Sequence, residues 1–202
     1  MTWSAAEAAL DGILARRWYT NHGPSAEALE RRVAETLDTR HAVAVTNPTI
    51  GLVMLAEALD LGGDVLLSPE APLRCRQALS WAGLRGVSDE SDGAVAVLLS
   101  DSPDRARLWD LAWDRGLPVL SDGVAEPGVP AVIRLPGDGD DAGAGCVLTD
   151  DDRLAARLRN IRSSYGAGPA VTVRRTANGR LSEAQAAMSL LAWDRQHGPG
   201  AG

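Results

Sequence analysis

Six runs of three to five apolar residues punctuate the chain: Ala42–Val45, Val65–Leu67, Val95–Leu99, Pro118–Leu120, Ala131–Ile133 and Cys146–Leu148. Such runs are too short for buried helices, and they lack the in-out alternation of a strand with one wet face. They therefore predict strands covered on both faces. Four of them lead into stretches with helical spacing, and this alternation predicts a three-layer α/β fold around a mostly parallel sheet. In such sheets ligands bind beyond the carboxyl ends of the strands. Thr46-Asn47-Pro48-Thr49, Asp101 and Ser121-Asp122 fall there. The same residue types are ordinary turn formers, so each also has a purely structural reading.

The helices are expected at 4–17, from Pro24-Ser25 onward, from Asn47-Pro48-Thr49 to Leu59, at 73–83, from Asp101-Ser102-Pro103 to about 115, at 150–163 and at 181–194. Ser25 suits the N-cap of the second helix, whose apolar stripe is Leu29, Val33 and Leu37. The pattern gives one domain, residues 1–195, followed by a flexible tail at 196–202 that ends in Gly198-Pro199-Gly200-Ala201-Gly202.

Among 202 residues all 20 basic ones are arginine, with no lysine and no phenylalanine. A chain without lysine cannot form an imine through a side-chain amine, nor supply the lysine of a phosphate-binding P-loop. A formal net charge of −7 opposes general nucleic-acid binding. No apolar stretch is long enough to cross a bilayer, and the N-terminus does not read as a signal peptide, so a cytoplasmic location is expected. Cys75 and Cys146 are too far apart for a metal motif and read as buried thiols; no metal is expected. The segment Gly137-Asp138-Gly139-Asp140-Asp141-Ala142-Gly143 loosely resembles a phosphate loop. Its three aspartates would repel a phosphate, and a surface loop is expected. From Arg153 to Arg180 there are seven arginines and no acid. Arg157, Arg159 and Arg162 suit the end of a helix that opens on Asp150-Asp151-Asp152. Arg174, Arg175 and Arg180 lie outside it and suit an anion site or an acidic partner.

Several segments, in order, resemble the large domain of the nucleotide-sugar aminotransferases of the DegT/StrS group. Trp18-Tyr19-Thr20-Asn21-His22-Gly23-Pro24 with Leu29-Glu30 is similar to their opening motif, and Val43 to Leu52 to their strand, phosphate-binding turn and helix. Asp64 to Pro69 and Ala78 to Leu84 resemble the next strand-helix unit, and Gly116 to Asp122 the strand ending in the cofactor-facing aspartate. Ala142 to Asp150 resembles the glycine-rich strand after the lysine loop; Asn178-Gly179-Arg180-Leu181-Ser182-Glu183-Ala184-Gln185-Ala186-Ala187 is the most specific match.

The resemblance implies the large domain of a fold-type I aminotransferase, without its small C-terminal domain. It makes Thr49 the counterpart of the phosphate-binding threonine and Asp122 that of the carboxylate that keeps the cofactor ring protonated. Asn178 would reach the site of a dimer partner. The departures gather at the chemistry. The lysine position falls near Gly137, beside Arg134 and Pro136, and no histidine replaces it. Pro72 stands near the expected ring-stacking aromatic, Pro48 removes a backbone donor from the phosphate turn, and the linker around Ser88–Gly93 is short.

Two functions are compatible with this pattern. One is a repurposed protein of specialised-metabolite biosynthesis that uses no pyridoxal phosphate and catalyses a cyclisation, dehydration or isomerisation in the vacated pocket. There Asp122 and His22 would be the acid-base groups, and Asn47, Thr49, Arg134, Asn178 and Arg180 would hold substrate or anion. The other is a catalytically inactive pseudo-aminotransferase, a dimer partner or scaffold for a pathway enzyme. Both expect no bound cofactor, a small-molecule or enzyme partner, and a homodimer with the site at the subunit interface.

Overall fold

The structure is a computed structural model and describes residues 3–89, 93–137, 143–164 and 170–198. Its elements are α1 (Trp3–Arg16), α2 (Pro24–Thr36), β1 (His41–Val45), α3 (Pro48–Ala58), β2 (Asp64–Leu67), α4 (Leu73–Trp81), β3 (Arg85–Val87), β4 (Ala94–Leu99), α5 (Arg105–Arg115), β5 (Val119–Asp122), β6 (Ala131–Arg134), β7 (Gly145–Thr149), α6 (Asp152–Ser163) and α7 (Glu183–His197). The seven strands form one sheet in the order β1-β7-β6-β5-β4-β2-β3. Strand β7 runs antiparallel to both β1 and β6, whereas the β2–β3, β2–β4, β4–β5 and β5–β6 pairs are parallel. The reversed strand comes after the last crossover, so a short return from β6 suffices to place it.

Successive strand residues point to opposite faces, and both faces are dry. Val43, Val45, Val65, Leu67, Leu98, Val132 and Val147 pack with α3, α4 and α6. Ala44, Ile133, Cys146 and Leu148 pack with α2 and α7, while Leu66, Val97 and Leu99 meet Leu108 and Ala112 of α5. This double burial explains the unbroken apolar runs and bears out the expected three-layer architecture.

The differences from the sequence reading are local. Strand β3 is an unexpected edge strand, three residues long and led by exposed Arg85, with too few apolar residues to register as a run. Helix α2 is capped at Gly23 with Pro24 in its first turn, so Ser25 is not the N-cap. Helix α7 continues through His197, two residues into the expected tail. Residues 138–142 of the expected surface loop, 90–92 of the short linker and 199–202 of the tail lie outside the described residues.

Two of the sequence motifs meet in space. Glu183, fully buried, accepts hydrogen bonds from Ser25 N (2.7 Å) and Ala26 N (3.1 Å), and its own N–H reaches Tyr19 O (2.9 Å). Gly23 at the N-cap has no side chain to cap α2, and a carboxylate from distant α7 satisfies the orphan amides instead. Gly23 is required because a Cβ there would lie 2.8 Å from the Glu183 carboxyl carbon.

Candidate functional site

The parallel strands deliver Val45, Leu67, Leu99, Asp122 and Arg134 to one edge of the sheet, where β7 begins at Gly145. Asp122 ends β5 and is 2% exposed. Its Oδ2 accepts a hydrogen bond from Arg74 Nη2 at 2.6 Å and another from Cys75 Sγ at 3.2 Å. A carboxyl group this deeply buried needs such partners to offset its lost hydration. The Cys75 thiol is pushed up to about 12, first by burial and then by the Asp122 charge, so it is an S–H donor and not a nucleophile. Arg74 belongs to no motif in the sequence, and Cys75 reads there only as a buried thiol. Their signal was an arginine in the first turn of the helix after β2, at the carboxyl edge.

The β1–α3 turn is tightly closed. Asn47 is the N-cap of α3, with its Oδ1 accepting from Ile50 N at 2.9 Å, and Gly51 N donates to Asn47 O at 3.1 Å. Pro48 has no N–H to give. Gly145 packs so closely on this turn that a Cβ would sit 2.8 Å from Pro48 N. The Asn178–Arg180 segment docks beside it: Thr46 N donates to Gly179 O (3.1 Å), and Gln185 Nε2 donates to Thr46 O (3.1 Å). Thus Asn47, Thr49, Asn178 and Arg180 gather near the end of β1 within one chain. Asn178 is exposed there with φ +46°.

His22 lies elsewhere. Its Nε2 is 2.8 Å from Glu30 Oε2, and Glu30 Oε1 pairs with Arg162 Nη1 and accepts from Ala44 N at 2.9 Å. Arg162 Nη1 also donates to Ala44 O at 3.0 Å. Ala44 belongs to the outer strand of the sheet, so Glu30 and Arg162 satisfy backbone groups on its open edge. Burial raises the Glu30 carboxyl, but the His22 hydrogen bond and the Arg162 charge outweigh it and hold the carboxyl below its ordinary value. Strand β5 is three positions from β1, roughly 14 Å across the sheet. The expected acid-base pair of Asp122 and His22 is therefore not assembled: each belongs to its own ion-pair cluster.

Arg134 is exposed at the end of β6 and borders a cavity of about 350 Å³ together with Trp193 and His197, whose rings stack with centroids 4.0 Å apart. Arg175 Nη2 pairs with buried Glu57 Oε1 at 2.8 Å, and Arg174 Nη1 with Asp60 Oδ1 at 3.5 Å. Two of the three arginines expected to suit an anion or acidic partner thus pair with carboxylates of their own chain. Cys75 and Cys146 are buried and free. Among the described residues no His, Cys, Asp and Glu cluster could hold a metal ion, and no helix is long and apolar enough to cross a membrane.

The residues present do not fit pyridoxal phosphate. The carboxylate that would pair with the ring nitrogen is already bound by Arg74 and Cys75. The helix N-terminus that would hold the phosphate lacks one amide at Pro48 and spends another on Asn47. Gly137, near which the resemblance places the lysine, is an exposed residue without an amine.

The family model of the DegT/DnrJ/EryC1/StrS aminotransferase family matches residues 4–92. The chain is 34% identical over 86 residues to a dTDP-4-amino-4,6-dideoxy-D-glucose transaminase of Escherichia coli, a match covering 42% of this chain and 23% of that protein. The structure of DesI with its TDP-sugar product superposes with a TM-score of 0.81 at 27% identity, covering 95% of this chain and 58% of that one. S. venezuelae DesV in complex with a ketimine intermediate gives the same TM-score at 23% identity, over 95% and 62% of the two chains, and shows the shared fold. The chain therefore spans less than two thirds of the length of these relatives. In its motifs and its seven-stranded framework the chain is thus similar to the DegT/DnrJ/EryC1/StrS aminotransferase family, and it is built like a fold-type I large domain.

Proposed function

We propose that this chain is a pseudo-aminotransferase that uses no pyridoxal phosphate and serves as a dimer partner or scaffold for an enzyme of specialised-metabolite biosynthesis. The observation that carries this reading is the commitment of Asp122 to Arg74 within the chain. His22 is likewise committed, to Glu30. The relatives act on or hold dTDP- and TDP-sugars, so a sugar-nucleotide transaminase is the natural partner enzyme. Exposed Trp3, Leu10, Leu14, Trp18 and Tyr19 in the first twenty residues supply apolar surface for self-association or for that partner.

A second reading, a repurposed cyclase, dehydratase or isomerase, draws on the polar groups gathered at the end of β1, with Asn47, Thr49, Asn178 and Arg180 as substrate holders. The test begins with the purified chain and added pyridoxal phosphate. No saturable absorbance band is expected, and such a band would sink both readings. Co-purification with a transaminase of the same pathway supports the scaffold. Turnover of a pathway intermediate that is lost in Asp122→Asn, with the fold retained, would replace the scaffold by the enzyme.

A further inference from the structure

We infer that Arg74 is a built-in counter-ion that excludes ligands carrying a cationic ring from the carboxyl edge of the sheet. This rests on the cofactor-free reading above and assigns the exclusion to one side chain. Asp122 Oδ2 is the atom that a ring N–H⁺ would address, and Arg74 Nη2 stands 2.6 Å from it with a full positive charge. A second cation cannot share that oxygen without facing the guanidinium at close range. Asp122 is 2% exposed, so an incoming ligand would first have to displace the arginine. The arginine is itself held in place by its position in the first turn of α4. Cys75, next in sequence, donates to the same oxygen, and Arg76, one further on, ties the helix to Ser68 O at 3.2 Å and Ser88 Oγ at 2.9 Å. The Arg74 side chain is about one-third exposed, so the cation paired with the buried carboxylate itself reaches solvent. A ligand that brings its own cation is thereby refused, while the buried carboxylate keeps the charge partner that burial demands.

The experiment removes the guanidinium and leaves Asp122. In Arg74→Met, which keeps an unbranched arm, methylguanidinium should raise the melting temperature saturably. Pyridoxamine 5′-phosphate should bind tighter than to the unaltered chain by on the order of tenfold or more, the strength of one charge-assisted hydrogen bond. Both gains should vanish in Arg74→Met/Asp122→Asn. If Arg74→Met folds and binds neither probe, or gains binding that Asp122→Asn does not remove, the inference falls. Should Arg74→Met fail to fold alone, recovery of folding by methylguanidinium upholds the counter-ion role and no recovery overturns it. The cofactor-free reading fails differently, by pyridoxal phosphate binding to the unaltered chain.

Discussion

At the residue scale the chain keeps Glu30, Glu57 and Asp122 buried by giving each a cation from a distant segment. Glu30 is the clearest test, because it holds Arg162, His22 and the open edge of β1 at once. Glu30→Gln strands the buried Arg162 charge and should cost about 3–5 kcal/mol in urea unfolding. Its folded-state carboxyl lies below the ordinary value, so the unfolded chain takes up the proton first on acidification. Its contribution is complete above the ordinary carboxylate value, near about 4, and is lost as pH falls through the lower folded value. Melting curves should show this acid loss in the unaltered chain and a shallower one in Glu30→Gln. The candidate residues were legible as types in loops after strands. Their pairing was not, because Asp122 and Arg74 are 48 positions apart and Glu30 and Arg162 are 132 apart.

At the element scale the strands were legible because burial on both faces writes itself as an apolar run. Strand β3 escaped because three residues at an edge need no such run. Helix ends were harder to place, since α2 receives its cap from across the chain: Glu183 does for it what Asn47 does locally for α3. Glu183→Ala should therefore destabilise the chain by about 2 kcal/mol, more than the roughly 1 kcal/mol typical of a lost local cap, because one buried and one half-buried amide lose their acceptor. Circular dichroism melts of Glu183→Ala and Asn47→Ala side by side would show that order; equal losses would reduce Glu183 to an ordinary cap.

At the scale of the whole molecule, the sheet places its polar loop residues along one edge but divides them between clusters. Asn47, Thr49, Asn178 and Arg180 sit by β1, Asp122 sits by α4, and Arg134 sits beside the Trp193–His197 cavity. The exposed aromatic and aliphatic side chains of the first twenty residues lead us to expect a homodimer by light scattering. A Trp3→Ser/Leu14→Ser/Trp18→Ser variant should shift the mass toward the monomer. A monomeric unaltered chain would remove the expectation that Asn178 reaches a neighbouring subunit's site.

The sequence by itself determined the layer architecture, the likeness to an aminotransferase large domain and the lack of any lysine amine. These follow from local patterns: apolar runs, helical spacing, motif order and composition. Only the tertiary structure decided which partners the candidate site residues took. It turned Asp122 toward Arg74 and His22 toward Glu30, and it spent Arg174 and Arg175 on carboxylates of their own chain. The physical reason is that a charge takes whichever opposite charge the fold brings within reach, most strongly where burial lowers the dielectric, and sequence separation does not enter that distance.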